Sequence, residues 1–168
     1  MMQIKDLFDD MPLPEGAVVD IRLQKLLREP LDVCADWQRT ENLLLEAHRL
    51  MPQQLEVLVA LYKMYAYSNR FDESLQRIEQ VLTLSAGLAG FPADWGSLQA
   101  GATWLNATGA TRLYLYSLKA TGFVQLRKGN VQAALAVLQK LRELDPMDQV
   151  GGSVVWEMAQ RLLDSDLD

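Results

Sequence analysis

The stretch GFVQLRKGNVQAALAVLQKLRELDP, residues 122–146, constrains the fold more than any other part of this chain. Apolar residues recur at helical spacing on both sides of Gly129-Asn130, a pair suited to turning the chain back between two helices. Gly122 and Ala134 are small, which lets the two arms cross closely, and Pro146 stops the second arm because it has no N–H and clashes with the preceding turn. The expectation is an antiparallel helical hairpin.

The plan recurs upstream. In QLEVLVALYKMYAYSNRFDESLQRIEQVL, Asn69 stands at the turn, Ser74 is the small residue of the second arm, and Ile78 and Val81 are its apolar positions. One period earlier, DWQRTENLLLEAHRLM carries Thr40, Leu44 and Ala47 in the same phase, followed by Pro52. Its partner arm is degenerate, because Pro30 breaks the helix after about Arg28. These hairpins resemble the tetratricopeptide repeat (TPR) family, whose units are two antiparallel helices in 34 residues. With Leu55 and Leu115 as first positions, Leu58 and Leu118 fall at position 4, and Ser74 and Ala134 at position 20. Departures are Tyr62 where the family has a small residue, Ala86 for the terminal proline, and Thr121 and Gln125 for large apolar residues, so the helix carrying the last two is expected to pack less tightly. The final stretch, QVGGSVVWEMAQRLL, places Val155, Met158, Ala159 and Leu162 at helical spacing and reads as the cap that covers a solenoid's last apolar face.

The fold class implied is all-α: TPR-like hairpins in a short right-handed solenoid, with a C-terminal capping helix and one insertion. After Leu55 the next unit is expected to open at residue 89 but opens at 115, and the delay of 26 residues equals the length of SAGLAGFPADWGSLQAGATWLNATGA, residues 85–110. The organisation read from this is an acidic segment 1–20, a single domain 21–163 with units at about 21–54, 55–88 and 115–148, a cap at 149–163 and an acidic tail 164–168. The insertion holds five Gly and one charge, Asp94, but also Phe91, Trp95 and Trp104. Linkers are poor in aromatics, so an ordered segment is expected, with SLQAGATWL as a short helix. Its aromatics either fill the gap between separated repeats or anchor a partner.

Composition narrows the function. The chain is 49% apolar, which excludes global disorder. No stretch approaches the ~20 apolar residues of a membrane span. MMQIKDLFDD lacks the basic, then apolar, opening of a signal peptide, and Cys34 has no cysteine to pair with, so a cytoplasmic protein is expected. The net charge of −6 is uneven: from Trp95 to Arg142 there is no acid, while Arg112, Lys119, Arg127, Lys128, Lys140 and Arg142 are basic. Such a block is either a solvated face or a site for acidic groups, a partner's or the chain's own.

Catalytic constellations are missing from the sequence. His48 is the lone histidine and reads as an ordinary helix residue; Cys34 lies near a helix start without a CxxC partner. GSLQAGAT, residues 96–103, has Ala102 where a phosphate-cradling loop needs lysine, and NAT at 106–108 is only a formal glycosylation acceptor. No enzyme activity, metal, cofactor or small-molecule substrate is expected. Nucleic acid is disfavoured by the negative charge, although RLYLYSLKATGFVQLRKG mixes bases with aromatics.

The TPR resemblance implies protein binding through positions 2, 5, 9, 12 and 13 of each first helix. Here these are Glu56, Val59, Lys63, Ala66 and Tyr67, then Tyr116, Lys119, Phe123, Leu126 and Arg127. The expected partner groove is lined by Val59, Lys63, Tyr67, Tyr116, Lys119, Phe123 and Arg127, which favours a segment both acidic and apolar. The chain's own IKDLFDDMPLPEG, with Ile4, Leu7, Phe8 and Met11 on one edge, is an alternative occupant. Phe91, Trp95 and Trp104 form a second candidate surface. GFPADW, RLYLYSLKATGFVQLRKGN and LRELDPMDQVGGSVV together resemble small bacterial TPR proteins encoded with nitrogen-fixation functions, the family of the nitrogenase-associated factor T. That resemblance implies a cytoplasmic accessory factor that binds the nitrogenase molybdenum-iron protein, or an immature or cofactor-deficient form of it. The alternative class is a TPR chaperone of a secretion apparatus that shields an apolar client segment.

Overall fold

In the computed structural model, which describes residues 2–9 and 21–166, Gly129 sits at φ 94° and closes the turn between two long helices. These carry the third hairpin, at Gly109–Lys128 and Val131–Leu144. Numbered in chain order, the α-helices are α1 (Ile21–Leu27), α2 (Trp37–Leu50), α3 (Leu55–Tyr67), α4 (Phe71–Ala89), α5 (Gly109–Lys128), α6 (Val131–Leu144) and α7 (Gly152–Asp166). Among the described residues the fold is all-helical, apart from an isolated bridge between Gln3 and Asp32. None of these helices is long and apolar enough to cross a membrane. Asp10, Met11, Glu15 and Asp20 of the acidic segment, and the last two residues of the acidic tail, lie outside the described residues.

The chain separates into two units, Met1–Arg77 and Ile78–Asp168. In the first, α2 and α1 pack together, α2 packs on α3, and a 3₁₀ turn at Ile4–Phe8 lies against both α1 and α3. α1 ends at Leu27, two residues before the Glu29-Pro30 pair whose ring geometry forbids its continuation. Asn69, at φ 61°, turns α3 into α4, and the Ser74 hydroxyl donates to the Tyr62 carbonyl at 2.8 Å, so the small polar side chain binds the facing helix. α3 is buried from Leu55 through Ala66, Glu56 and Lys63 included, which explains why its sequence shows little polar face.

In the second unit α6 packs against both α5 and α7, and α7 also meets α5. A Cβ on Gly122 would stand 2.6 Å from Leu138 Cγ and Cδ2, so glycine is what lets α5 and α6 approach this closely. Gly152 repeats the device, because a Cβ there would stand 2.5 Å from Leu141 Cδ2. Thr121 and Gln125 are half-buried, and Thr121 turns its hydroxyl onto the Ser117 carbonyl of its own helix at 2.9 Å.

The stretch read as an insertion is shorter than its sequence suggested. α4 continues through Ala89, because Ala86 is buried and Ser85 satisfies its hydroxyl on the Val81 carbonyl at 2.6 Å. Gly90, at φ 87°, then ends the helix, and its N–H and that of Phe91 both donate to the Ala86 carbonyl, at 2.8 and 3.1 Å. α5 begins at Gly109, six residues before Leu115. Between them SLQAGATWL forms no single helix: 3₁₀ turns stand at Trp95–Ser97 and Ala102–Trp104, separated by extended backbone at Gly101.

Candidate functional site

Residues 90–108 are anchored to α5, α6 and the α6–α7 connection by side chains that reach backbone groups. Phe91 meets Trp104 and Tyr114 edge-on, with ring centroids 4.8 and 4.9 Å away. Trp104 is only 3% exposed, and its indole N–H donates to the Gln99 carbonyl at 2.9 Å. The Tyr114 hydroxyl donates to the Ala93 carbonyl at 2.7 Å; burial, with the Asp94 charge nearby, pushes its pKa well above the usual tyrosine value. Gln149 closes the far end, donating from Nε2 to the Trp104 carbonyl at 2.7 Å and accepting from the Ala107 N–H at 2.8 Å. Its own position is fixed by buried Asp145, whose carboxylate accepts from the Gln149 N–H and Nε2 and from the Val150 N–H.

This network also accounts for half of the basic block. Lys140 donates to the Leu98 carbonyl at 2.8 Å, Arg112 to the Gln149 carbonyl at 3.0 Å, and Lys119 to the Val150 carbonyl at 2.8 Å. Arg142 lies over the Trp156 ring at 4.4 Å, and Lys140 also pairs with Glu143 at 3.2 Å. The acid-free sequence thus supplies donors for loop carbonyls that have no helical partner. A cleft of about 470 Å³ between α6 and α7 is lined by Arg142, Glu143, Asp145, Pro146, Asp148 and Ser153. Its carboxylates are engaged within the fold: Asp145 as above, and Asp148 in accepting the Ser153 N–H and hydroxyl.

The groove positions divide by helix. On α3, Val59 has no exposed surface, and Lys63, 9% exposed, donates to the Asp9 carbonyl at 2.8 Å; Tyr67 is 56% exposed. On α5, Tyr116, Lys119 and Phe123 are half-buried and Arg127 is exposed. Lys119 Nζ lies 5.3 Å from the Tyr116 ring and the Arg127 guanidinium 5.9 Å from the Phe123 ring, so the four alternate cation and ring along one face. Of the insertion residues, half-buried Phe91 packs against buried Trp104, whereas half-buried Trp95 stands in its own 3₁₀ turn.

Among the described residues no group of three or more His, Cys, Asp or Glu is placed to hold a metal ion. His48 lies on α2, its Nδ1 buried without a hydrogen-bond partner, and its pKa is lowered first by burial and then by the Arg77 charge. Tyr65 donates to Glu41 at 2.9 Å, and burial together with that bond pushes its pKa to about 12. Cys34 is exposed in the turn before α2. Sequence reading missed Gln149 and Asp145, which follow no helical period, and the pairing of Arg70 over Trp37 at 4.0 Å, whose indole donates to Ser68 at 2.6 Å.

Comparison with known proteins finds a relative in Azotobacter chroococcum mcd 1, an uncharacterized 19.8 kDa protein in the nifW 5' region. It is 34% identical over 121 residues, 70% of this chain and 68% of the relative. No protein-family model matches the chain, and no solved structure does.

Proposed function

This chain belongs to the family of the uncharacterized 19.8 kDa protein of the Azotobacter chroococcum nifW 5' region, and on that premise we propose that it is a non-enzymatic accessory factor of nitrogen fixation that binds another protein. The observation that carries the reading is the relative's position beside a nif gene. The partner proposed is the nitrogenase molybdenum-iron protein, in an immature or cofactor-deficient form, bound during assembly, protection or repair in the cytoplasm.

The proposed scaffold is a short TPR solenoid. It is supported by hairpins that cross at the small residues Gly122 and Ser74, and by turns at Asn69 and Gly129 in left-handed conformation. On that scaffold the first-helix residues Val59, Lys63 and Tyr67, and Tyr116, Lys119, Phe123 and Arg127, are the proposed contacts. Cations interleaved with rings suit an acidic protein surface, which they attract over distance and then desolvate. Phe91 and Trp104 shape the edge of the second unit from within, leaving Trp95 as the insertion's proposed contact.

The test is capture of purified molybdenum-iron protein, with and without its cofactor, by the immobilised chain. The expected result is saturable binding, stronger to the cofactor-deficient form and weakened at least tenfold by R127E, with the helical signal and thermal midpoint unchanged. Absence of binding to either form overturns the partner assignment. Recovery of the chain as a free monomer from nitrogen-fixing cells counts equally against it.

A further inference from the structure

The N-terminal 3₁₀ turn is built like a ligand. Ile4, Leu7 and Phe8 are buried, at 0%, 0% and 5% exposure, while Lys5 is exposed and Asp6 half-buried. The turn satisfies its own backbone: the Asp6 carboxylate accepts the Gln3 N–H at 2.8 Å, and the Asp6 N–H donates to the Gln3 carbonyl at 3.0 Å. Buried apolar side chains join it to the rest of its unit, and among the described residues polar ties run from the Val33 N–H to the Met2 carbonyl at 2.7 Å and from Lys63 to the Asp9 carbonyl at 2.8 Å.

Its docking place is also specific. It lies against α3, and the ammonium that holds it belongs to Lys63, four residues after Val59 on one helical face and the same pair proposed above to receive a partner. The turn carries three buried apolar side chains, Ile4, Leu7 and Phe8, and two acidic residues, Asp6 and Asp9, the second of which gives Lys63 its backbone carbonyl. Lys63 is 9% exposed and its ammonium is bonded to the chain's own segment, so a partner that takes up this ammonium in the segment's place must first displace that bond.

We propose that residues 2–9 are an intramolecular stand-in for the partner: a short acidic segment with apolar side chains spaced as Ile4, Leu7 and Phe8 displaces them from α3 and takes their place. The proposal rests on the protein-binding reading and adds the chemistry of the partner segment and a built-in competitor. Tethering gives the chain's own segment an effective concentration of the order of millimolar, so a free segment of equal intrinsic affinity competes poorly. A partner gains access by binding more tightly or by engaging a second surface at the same time.

The probe is a fluorescein-labelled synthetic peptide, MQIKDLFD, titrated into the full chain and followed by anisotropy. The wild type is expected to bind it at least tenfold more weakly than L7E/F8E, in which the chain's own turn is released, and adding V59R or K63E to that variant is expected to abolish the gain. A scrambled peptide of the same composition is expected not to bind. In the wild type, hydrogen exchange is expected to show the amides of Asp6 and Val33 opening at least a hundredfold faster than those of α3. The proposal is overturned if L7E/F8E gains no peptide affinity, if it loses its helical signal, or if the Asp6 and Val33 amides exchange only at the rate of α3. Because no nitrogenase component is present, these outcomes are independent of whether the molybdenum-iron protein is the partner.

Discussion

Each unit carries a segment that is not part of a hairpin, and the two are attached by different physics. In the second unit residues 90–108 are held by a buried tryptophan, an edge-on aromatic cluster and four side chains that bond their backbone: Tyr114, Lys140, Gln149 and Trp104 itself. In the first unit the turn at Ile4–Phe8 closes its own hydrogen bonds and contributes three apolar side chains, with Lys63 and Val33 as ties. A segment whose carbonyls depend on distant side chains cannot leave without burying or stranding polar groups on both sides. The N-terminal turn, whose short backbone bonds close within it, leaves at the cost of its apolar area and of the bonds from Lys63 and Val33. The insertion is therefore part of the core of its unit, whereas the N-terminal turn is a removable cover.

The largest expected effect tests the first half of that contrast. Trp104→Ala removes a buried aromatic and its indole bond, and about 3–5 kcal/mol of stability is expected to go with it, read from the urea midpoint of the second unit. Phe8→Ala deletes a buried ring too, but its cost is capped at the free energy of opening the turn locally, so a smaller loss is expected in the same measurement. Equal losses at the two positions would erase the distinction. Next in size is Gln149→Ala, which leaves the Trp104 carbonyl and the Ala107 N–H without their partner and is expected to cost about 1–3 kcal/mol. Faster amide exchange at Ala107, with α3 unchanged, is the accompanying sign.

Those two sites differ in how far the sequence announced them. The hairpins were legible because turns and close crossings demand particular residues: Gly129 and Asn69 occur where φ is positive, and Gly122 where Leu138 leaves no room for a Cβ. Aromatics in a glycine-rich stretch likewise announced order, since Trp104 has nowhere favourable to go but inward. α5 begins at Gly109, six residues before Leu115, the first position of the repeat, because GATRLY carries no period that announces the extra turns. The bonds from Lys140 to Leu98, Lys119 to Val150 and Lys63 to Asp9 were illegible for another reason: each ends on a backbone carbonyl, which every residue has and no side chain advertises. A run of cations without acids therefore looked like a surface for an acidic partner, and half of it proved to be internal hydrogen bonding.

Tyr114→Phe isolates one strand of the insertion's attachment. It keeps the ring against Phe91 and Trp104 and removes only the bond to the Ala93 carbonyl, so a loss of about 0.5–1.5 kcal/mol is expected by thermal or urea denaturation. A loss as large as that from Trp104→Ala would place the attachment in the carbonyl bonds, not in the aromatic cluster.

The smallest effect separates the units by pH. His48 is the chain's single histidine, it belongs to the first unit, and its folded pKa lies below the ordinary value near 6.5 because burial, and then Arg77, disfavour the charged ring. A depressed folded pKa means that the unfolded chain binds the proton more readily. The stability linked to His48 is thus fully present above pH ~6.5 and is lost as the pH falls through the folded value. Lowering the pH from 7.5 towards 5.5 is expected to speed amide exchange in α2 and α3 while leaving α5 and α6 unchanged, because the second unit has no group that ordinarily titrates in that window. His48→Gln is expected to flatten the response of the first unit. If α5 and α6 accelerate in step with α2 and α3, the two units do not open independently, and the contrast between a fixed insertion and a removable N-terminal cover must be sought in one shared unfolding event.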